Sequence, residues 1–224
     1  MDITTTDTAL LRLLQLASPA LPVGAYAFSQ GLEAAIDQAW LTDANDVYEW
    51  LGLQLDHGLA HVDLPIVLRL QKSWLQRDSV EVRYWNSCLL ASRETSELRL
   101  AETATGEALA RLLPSLDILL PYALKPPTFA ALFALAAAHW RLSAALLLHG
   151  YAWAWLENQV MAATKLLPLG QSQSQALLSR LLERVPAAIE TAQTLPIAEI
   201  GGSLPGLALA SIRHENQYSR LFRS

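Results

Sequence analysis

His57 and His61 stand four residues apart in a stretch of helical apolar spacing, with Asp56 and Asp63 close by. That spacing puts two imidazoles on one helix face, and imidazole is a ligand for nickel and other first-row divalent metals. A metal site needs further ligands, so the alternative is a surface or half-buried histidine pair, and no metal ligand is assigned. His139 and His149 fall in apolar helical stretches and read as core histidines with satisfied nitrogens. Arg93 and Glu97 have the i, i+4 spacing of a solvated helix pair, worth only about 0.3 kcal/mol. Cys88 is the only cysteine, which rules out an internal disulfide and a cysteine cluster for zinc; it reads as a small buried hydrophobe. The chain has no glycine-rich phosphate loop with its lysine, no nucleophile elbow and no His-Glu-x-x-His helix. It is expected to be no enzyme, with no catalytic residue and no cofactor.

The elements that would position these groups are helical. Asp7 reads as a helix cap before Leu10, Leu11, Leu13 and Leu14. A second helix is expected over 29–39. Asp43 or Asn45 should cap a third, carrying Val47, Leu51, Leu55 and Leu59, and Asp63 with Pro65 marks the start of another. Helices over 80–92 and 93–113 should follow, the second stopped by Pro114. Residues 116–127 read as irregular, with Thr128 capping an alanine-rich helix that ends near Arg141. A long helix should run over 143–167. Ser172 or Ser174 should start the next, which Pro186 kinks or ends. Residues 195–206 read as a flexible connector. No alternating strand pattern of useful length occurs. The expected fold is all-α, a single-domain bundle of about ten helices over 1–206 with an extended C-terminal tail over 207–224.

Hydrophobic residues make up 52% of the 224 and charged residues 17%, against about 25% charged in ordinary domains. That apolar excess is the composition of a subunit that covers itself with partners. The net charge of −5 and pI near 5.5 argue against nucleic-acid binding. The start of the chain lacks the basic-then-apolar order of a signal peptide, so a cytoplasmic protein is expected. Arg141, beside His139 and Trp140, splits the apolar stretch 129–155 into runs shorter than the roughly 20 residues of a membrane span, so no membrane insertion is expected.

The most informative segment is Ser18-Pro-Ala-Leu-Pro-Val-Gly-Ala-Tyr-Ala-Phe-Ser-Gln-Gly-Leu-Glu33. It carries no charge before Glu33. Pro19 and Pro22 stiffen it, and Gly24 follows where a type I turn favours glycine. Such a loop should pack on the chain's own core or on another protein. The tail, His214-Glu-Asn-Gln-Tyr-Ser-Arg-Leu-Phe-Arg-Ser224, interleaves arginines with Tyr218, Leu221 and Phe222, the residue types that anchor interfaces. In the long helix, Tyr151, Trp155, Asn158, Ala162 and Lys165 share one stripe. That stripe is either a partner-facing patch with Lys165 at the helix C-terminus or the solvent side of a core helix.

The 18–33 segment, the 93–99 block Arg-Glu-Thr-Ser-Glu-Leu-Arg, the blocks 157–160 and 165–171 and the tail together resemble the UreF family of urease accessory proteins, in the order that family has them. Ala25 stands where a second glycine is common there, and Asn216 where threonine is common. The resemblance implies a non-catalytic scaffold for nickel insertion into urease. Its implied partners are the accessory proteins UreD/UreH, the GTPase UreG and apo-urease, and it implies a homodimer that bridges the other two and influences the GTPase. By matching blocks, Glu33, Lys165 and Gln171 would face the GTPase, and Tyr218, Arg220, Phe222 and Arg223 would face UreD/UreH. Ser29, Tyr151, Asn158 and His214 complete the candidate partner-binding set. Two alternatives stand beside this reading: an all-helical enzyme using His139 or His149 as a cofactor ligand, and a structural oligomer without dedicated partners.

Overall fold

The computed structural model describes residues 3–224, with side chains from Thr8 onward. Among these residues the chain is helical and contains no strand, so the all-α, single-domain expectation holds. The first helix, α1 (Ile3–Leu16), begins upstream of Asp7. Asp7 is therefore inside the helix rather than at its cap, and its side chain lies outside the described residues.

The centre of the bundle is α7 (Phe129–His139), in which every residue from Ala130 to Ala138 is buried. A helix that is apolar all round has to be covered all round. α4 (Leu64–Gln76) and α6 (Ser96–Leu112) pack against it. Trp74 of α4 donates its indole N–H to the Ala131 carbonyl at 2.8 Å, and Gln71 donates to the Leu142 carbonyl at 2.7 Å. α6 comes so close to the start of α7 that a Cβ on Gly106 would sit 2.3 Å from the Pro127 carbonyl oxygen. α5 (Ser79–Ala91) lies beside α4. The long α8 (Ala144–Leu166) backs α4, α9 (Gln171–Leu182) packs along α8, and α10 (Val185–Thr194) contacts both α4 and α8.

Side-chain caps set many of the boundaries. Asp43, Asp78, Thr95, Thr128 and Ser143 each accept from the backbone N–H groups at the start of the helix that follows, a contribution of about 1 kcal/mol per cap. Thr95 caps α6, which starts at Ser96, three residues later than expected, and this leaves Arg93 outside the helix. α9 begins at Gln171, ahead of Ser172 and Ser174, because the Gln173 side chain folds back to the Gly170 N–H at 2.9 Å. The expected second helix shrinks to α2 (Leu32–Asp37), between Gly31 and Ala39, both at positive φ.

Pro65 stands in the first turn of α4, as expected, but that helix does not start from a loop. α3 (Ala44–Leu53) continues through a π-helical segment, Gln54–Asp63, directly into α4. A proline inside a helix has no N–H for the carbonyl four residues back. Here that carbonyl, on His61, accepts instead from Gly201 at 3.1 Å. The same bond pins the segment 195–206, which also holds a 3-10 turn, Ile197–Glu199, and a Ser203 hydroxyl donating to Glu94 at 2.6 Å. The segment is a bonded strut, not the flexible connector expected. Among the described residues no helix is long and apolar enough to cross a membrane.

Candidate functional site

The chain beyond residue 206 is neither extended nor separate. It is helical through α11 (Pro205–Glu215), which packs on α2 and α6, so the expected boundary at 206/207 falls inside a helix. After Glu215 the chain turns back across the stiff 18–33 loop. Arg223 donates its backbone N–H to the Ala27 carbonyl at 2.7 Å. The N–H groups of Ser29 and Gln30 converge on the Ser224 carbonyl oxygen, Gln30 at 3.2 Å. Gln30 (φ 51°) and Gly31 (φ 82°) are both left-handed, the backbone turn that lets successive N–H groups face one acceptor. Phe222 is buried, Lys165 Nζ lies 5.7 Å from its ring centre and 5.8 Å from that of Tyr26, and the Arg223 guanidinium lies 5.9 Å from the Phe28 ring.

Beneath the tail sits a buried charge cluster. Glu33 accepts the backbone N–H of Leu221 at 2.6 Å on Oε1 and that of Phe222 at 2.8 Å on Oε2. His214, with no exposed surface, bridges Glu33 Oε2 at 3.0 Å and Glu97 Oε2 at 2.8 Å. Arg220 closes the set with a 3.0 Å bond to Glu97 Oε1.

A second cluster lies deeper. Arg93 makes a two-pronged pair with Asp63, at 2.5 and 3.1 Å, and a third bond to Glu102 at 2.9 Å. Glu102 also accepts the Ala130 N–H at the start of α7, at 3.1 Å. The Tyr151 hydroxyl donates to Asp63 at 3.2 Å. Burial pushes the Tyr151 hydroxyl well above its usual pKa, and the Asp63 and Glu102 charges push it further. Burial alone would lower the pKa of Arg93, but the same two carboxylates more than reverse this and hold its charge firmly. These groups line a cavity of about 160 Å³. Its other walls are the 18–30 loop, part of the π-helical segment, and the Trp155–Asn158 face of α8.

The structure gathers most of the sequence-derived candidates into one region but changes their roles. Ser29, Glu33, His214 and Phe222 are buried beneath or within the docked tail, and Tyr151 is buried in the deeper cluster. In this conformation none of the five forms an outer contact surface. Lys165, Gln171, Tyr218, Arg220 and Arg223 are exposed, and Asn158 is half-buried. The α8 stripe faces the chain's own loop: Trp155 donates to Gln30 at 3.1 Å and Asn158 to the Phe28 carbonyl at 3.3 Å. Arg93 and Glu97 do not pair, because each has its own buried partners. His139 and His149 are exposed rather than core residues. His57 and His61 stack with centroids 6.0 Å apart, and His61 Nδ1 lies 2.9 Å from the Asp56 carbonyl oxygen. Cys88 is only partly buried.

Sequence reasoning missed Asp63 and Glu102 as cavity residues. A signal was present: Leu98, Ala101, Thr105 and Leu109 form the apolar stripe of α6, and Glu97 and Glu102 sit on its flanks, so both carboxylates had to point inward.

The sequence model of the UreF family matches residues 41–182. Relatives named "Urease accessory protein UreF" align over nearly their whole length, so the 18–33 loop and the tail are included. The chain is 50% identical to that of Marinomonas sp. (strain MWYL1), over 100% of this chain and 97% of the relative. It is 52% identical to that of Azoarcus sp. (strain BH72), over 96% and 95%. It is 49% identical to that of Teredinibacter turnerae, over 97% and 100%. The chain belongs to the UreF family of urease accessory proteins.

Proposed function

We propose that this chain is a non-catalytic scaffold of urease maturation. It works in the cytoplasm as a homodimer, joins UreD/UreH to the GTPase UreG on apo-urease, adjusts the GTPase, and so supports delivery of nickel to the urease metallocentre. The observation that carries this reading is the form of the tail. Its inner side is anchored through Phe222 and the Glu33 carboxylate, while Tyr218 is fully exposed and Leu221 is 64% exposed. A large aromatic and a leucine held outward on a fixed backbone, on either side of Arg220 and ahead of Arg223, make a preorganised contact surface.

In this reading the tail's outer face meets UreD/UreH, and Lys165 with Gln171, at the junction of α8 and α9, meets UreG. Ser29, Glu33, Tyr151, Asn158, His214 and Phe222 support these surfaces from behind. The test is co-expression of the four presumed components followed by pull-down and measurement of urease nickel content. Tyr218→Ala with Arg220→Ala should lower UreD/UreH capture by about tenfold or more. Lys165→Glu should lower UreG capture. Unchanged capture of both partners in both variants, with urease still filled with nickel, would overturn the scaffold reading.

A further inference from the structure

The π-helical segment Gln54–Asp63 carries His57 and His61, which the scaffold reading leaves unused. One strut braces the backbone of both. Gly201 donates to the His61 carbonyl at 3.1 Å, and Gly202 passes so close that a Cβ there would lie 3.3 Å from the His57 carbonyl oxygen. The two rings stack, with planes 27° apart and centres 6.0 Å apart. His61 Nδ1 lies 2.9 Å from the Asp56 carbonyl oxygen. A carbonyl only accepts, so the neutral ring carries its proton on Nδ1 and keeps the Nε2 lone pair for another partner. A backbone carbonyl on the far ring nitrogen is the support that metal-bound histidines commonly have. The Asp56 carboxylate is taken by Arg184, and that ion pair adds no net charge beside the rings.

We propose that His57 and His61 form a two-histidine site for a first-row divalent cation of the Cu²⁺, Ni²⁺ or Zn²⁺ type. A metal about 2.1 Å from a ring nitrogen lies about 3.2 Å from that ring's centre, so one ion can join rings whose centres are up to about 6.4 Å apart. At 6.0 Å the pair is within that reach. His61 is half-buried and held by its carbonyl bond, while His57 is exposed, and rotation about its side-chain bonds turns a nitrogen toward its neighbour. Neutral imidazole suits these metals, whereas Mg²⁺ and Ca²⁺ take oxygen ligands. Among the described residues no third histidine, cysteine or carboxylate completes a cluster with the pair. Water therefore fills the remaining positions, and the ion stays exchangeable. The site needs no partner protein, so it stands or falls apart from the scaffold reading.

The experiment titrates the full chain with Cu²⁺, Zn²⁺ and Mg²⁺ separately by calorimetry and records the electron paramagnetic resonance of the copper-loaded chain. The parent should take up one Cu²⁺ with coupling to two imidazole nitrogens, bind Zn²⁺ more weakly, and bind no Mg²⁺. His57→Ala and His61→Ala should each weaken Cu²⁺ binding by about tenfold or more and leave coupling to one nitrogen. His149→Ala, at a single exposed histidine of α8, should change neither reading. If His61→Ala does not fold, His57→Gln at the exposed position tests the pair without disturbing the packed ring. Copper held as tightly after removal of both histidines would overturn the proposal. So would weakening by only one of the two alanine variants, because the rings would then not share an ion.

Discussion

Glu33 and Glu97 share His214, with Arg220 on Glu97 alone, whereas Asp63 and Glu102 share Arg93, with the Tyr151 hydroxyl on Asp63 alone. Both clusters put two carboxylates out of water, yet their surroundings differ. In the first, one cation is partly wet, since the Arg220 side chain is 39% exposed, and the His214 ring lies between the two carboxylates. Two of its bonds go to backbone N–H groups of the terminal segment. In the second, one guanidinium serves two carboxylates and leaves a net negative charge beside the cavity. Its remaining bonds go to helix backbone at the start of α7 and to a phenol in the core. A buried charge whose partner is removed is far more destabilising than the pair was stabilising. The deeper cluster should therefore be essential to the fold, while the shallower one holds an element that can leave, taking its own backbone groups back to water.

Arg93→Ala is the largest test of that difference. It strands Asp63 and Glu102 in the interior and should cost about 3–5 kcal/mol in urea unfolding, with loss of cooperative melting as the extreme result. Glu33→Ala comes next. It deprives Leu221 and Phe222 of their acceptor and His214 of one partner, a loss of about 1–3 kcal/mol. The loss should appear as fast amide exchange confined to 216–224 and 27–30. Global unfolding of Glu33→Ala to the same extent as Arg93→Ala would break the comparison. Tyr151→Phe sharpens it at the small end, removing one hydrogen bond to Asp63 for about 1 kcal/mol.

Tyr151 also predicts a direction with pH. A phenol whose folded pKa is raised favours the folded state fully below its unfolded value of about 10, and this contribution is lost as pH rises through the folded value. Stability of the parent should fall more steeply above pH of about 10 than that of Tyr151→Phe, as followed by urea midpoints.

The helices were largely legible because their signals are local. Asp43, Thr128 and Ser143 cap where the pattern places them, and the alanine-rich stretch after Thr128 is the most buried helix. Pro65 marked the start of α4 but hid its continuity with the π-helical segment before it, because a helix can carry a proline when another chain segment, here Gly201, satisfies the freed carbonyl. Arg93 misled because four-residue spacing identifies a pair only when both residues lie in the same helix, and the Thr95 cap separates them. The 18–33 loop was correctly singled out as stiff and sticky, but its occupant could not be read. The Glu33 carboxylate and the His214 ring are 181 residues apart along the chain.

Helix position, helix class of fold and the adhesive character of both chain ends follow from sequence alone, because capping, apolar period and composition act within a few residues. The pairing of carboxylates with cations, the burial of Glu33 and the folding of the tail onto the loop were decided only by tertiary packing. The physical reason is that an ion pair is chosen by distance and desolvation, and both exist only once α2, α6, α8 and α11 have come together.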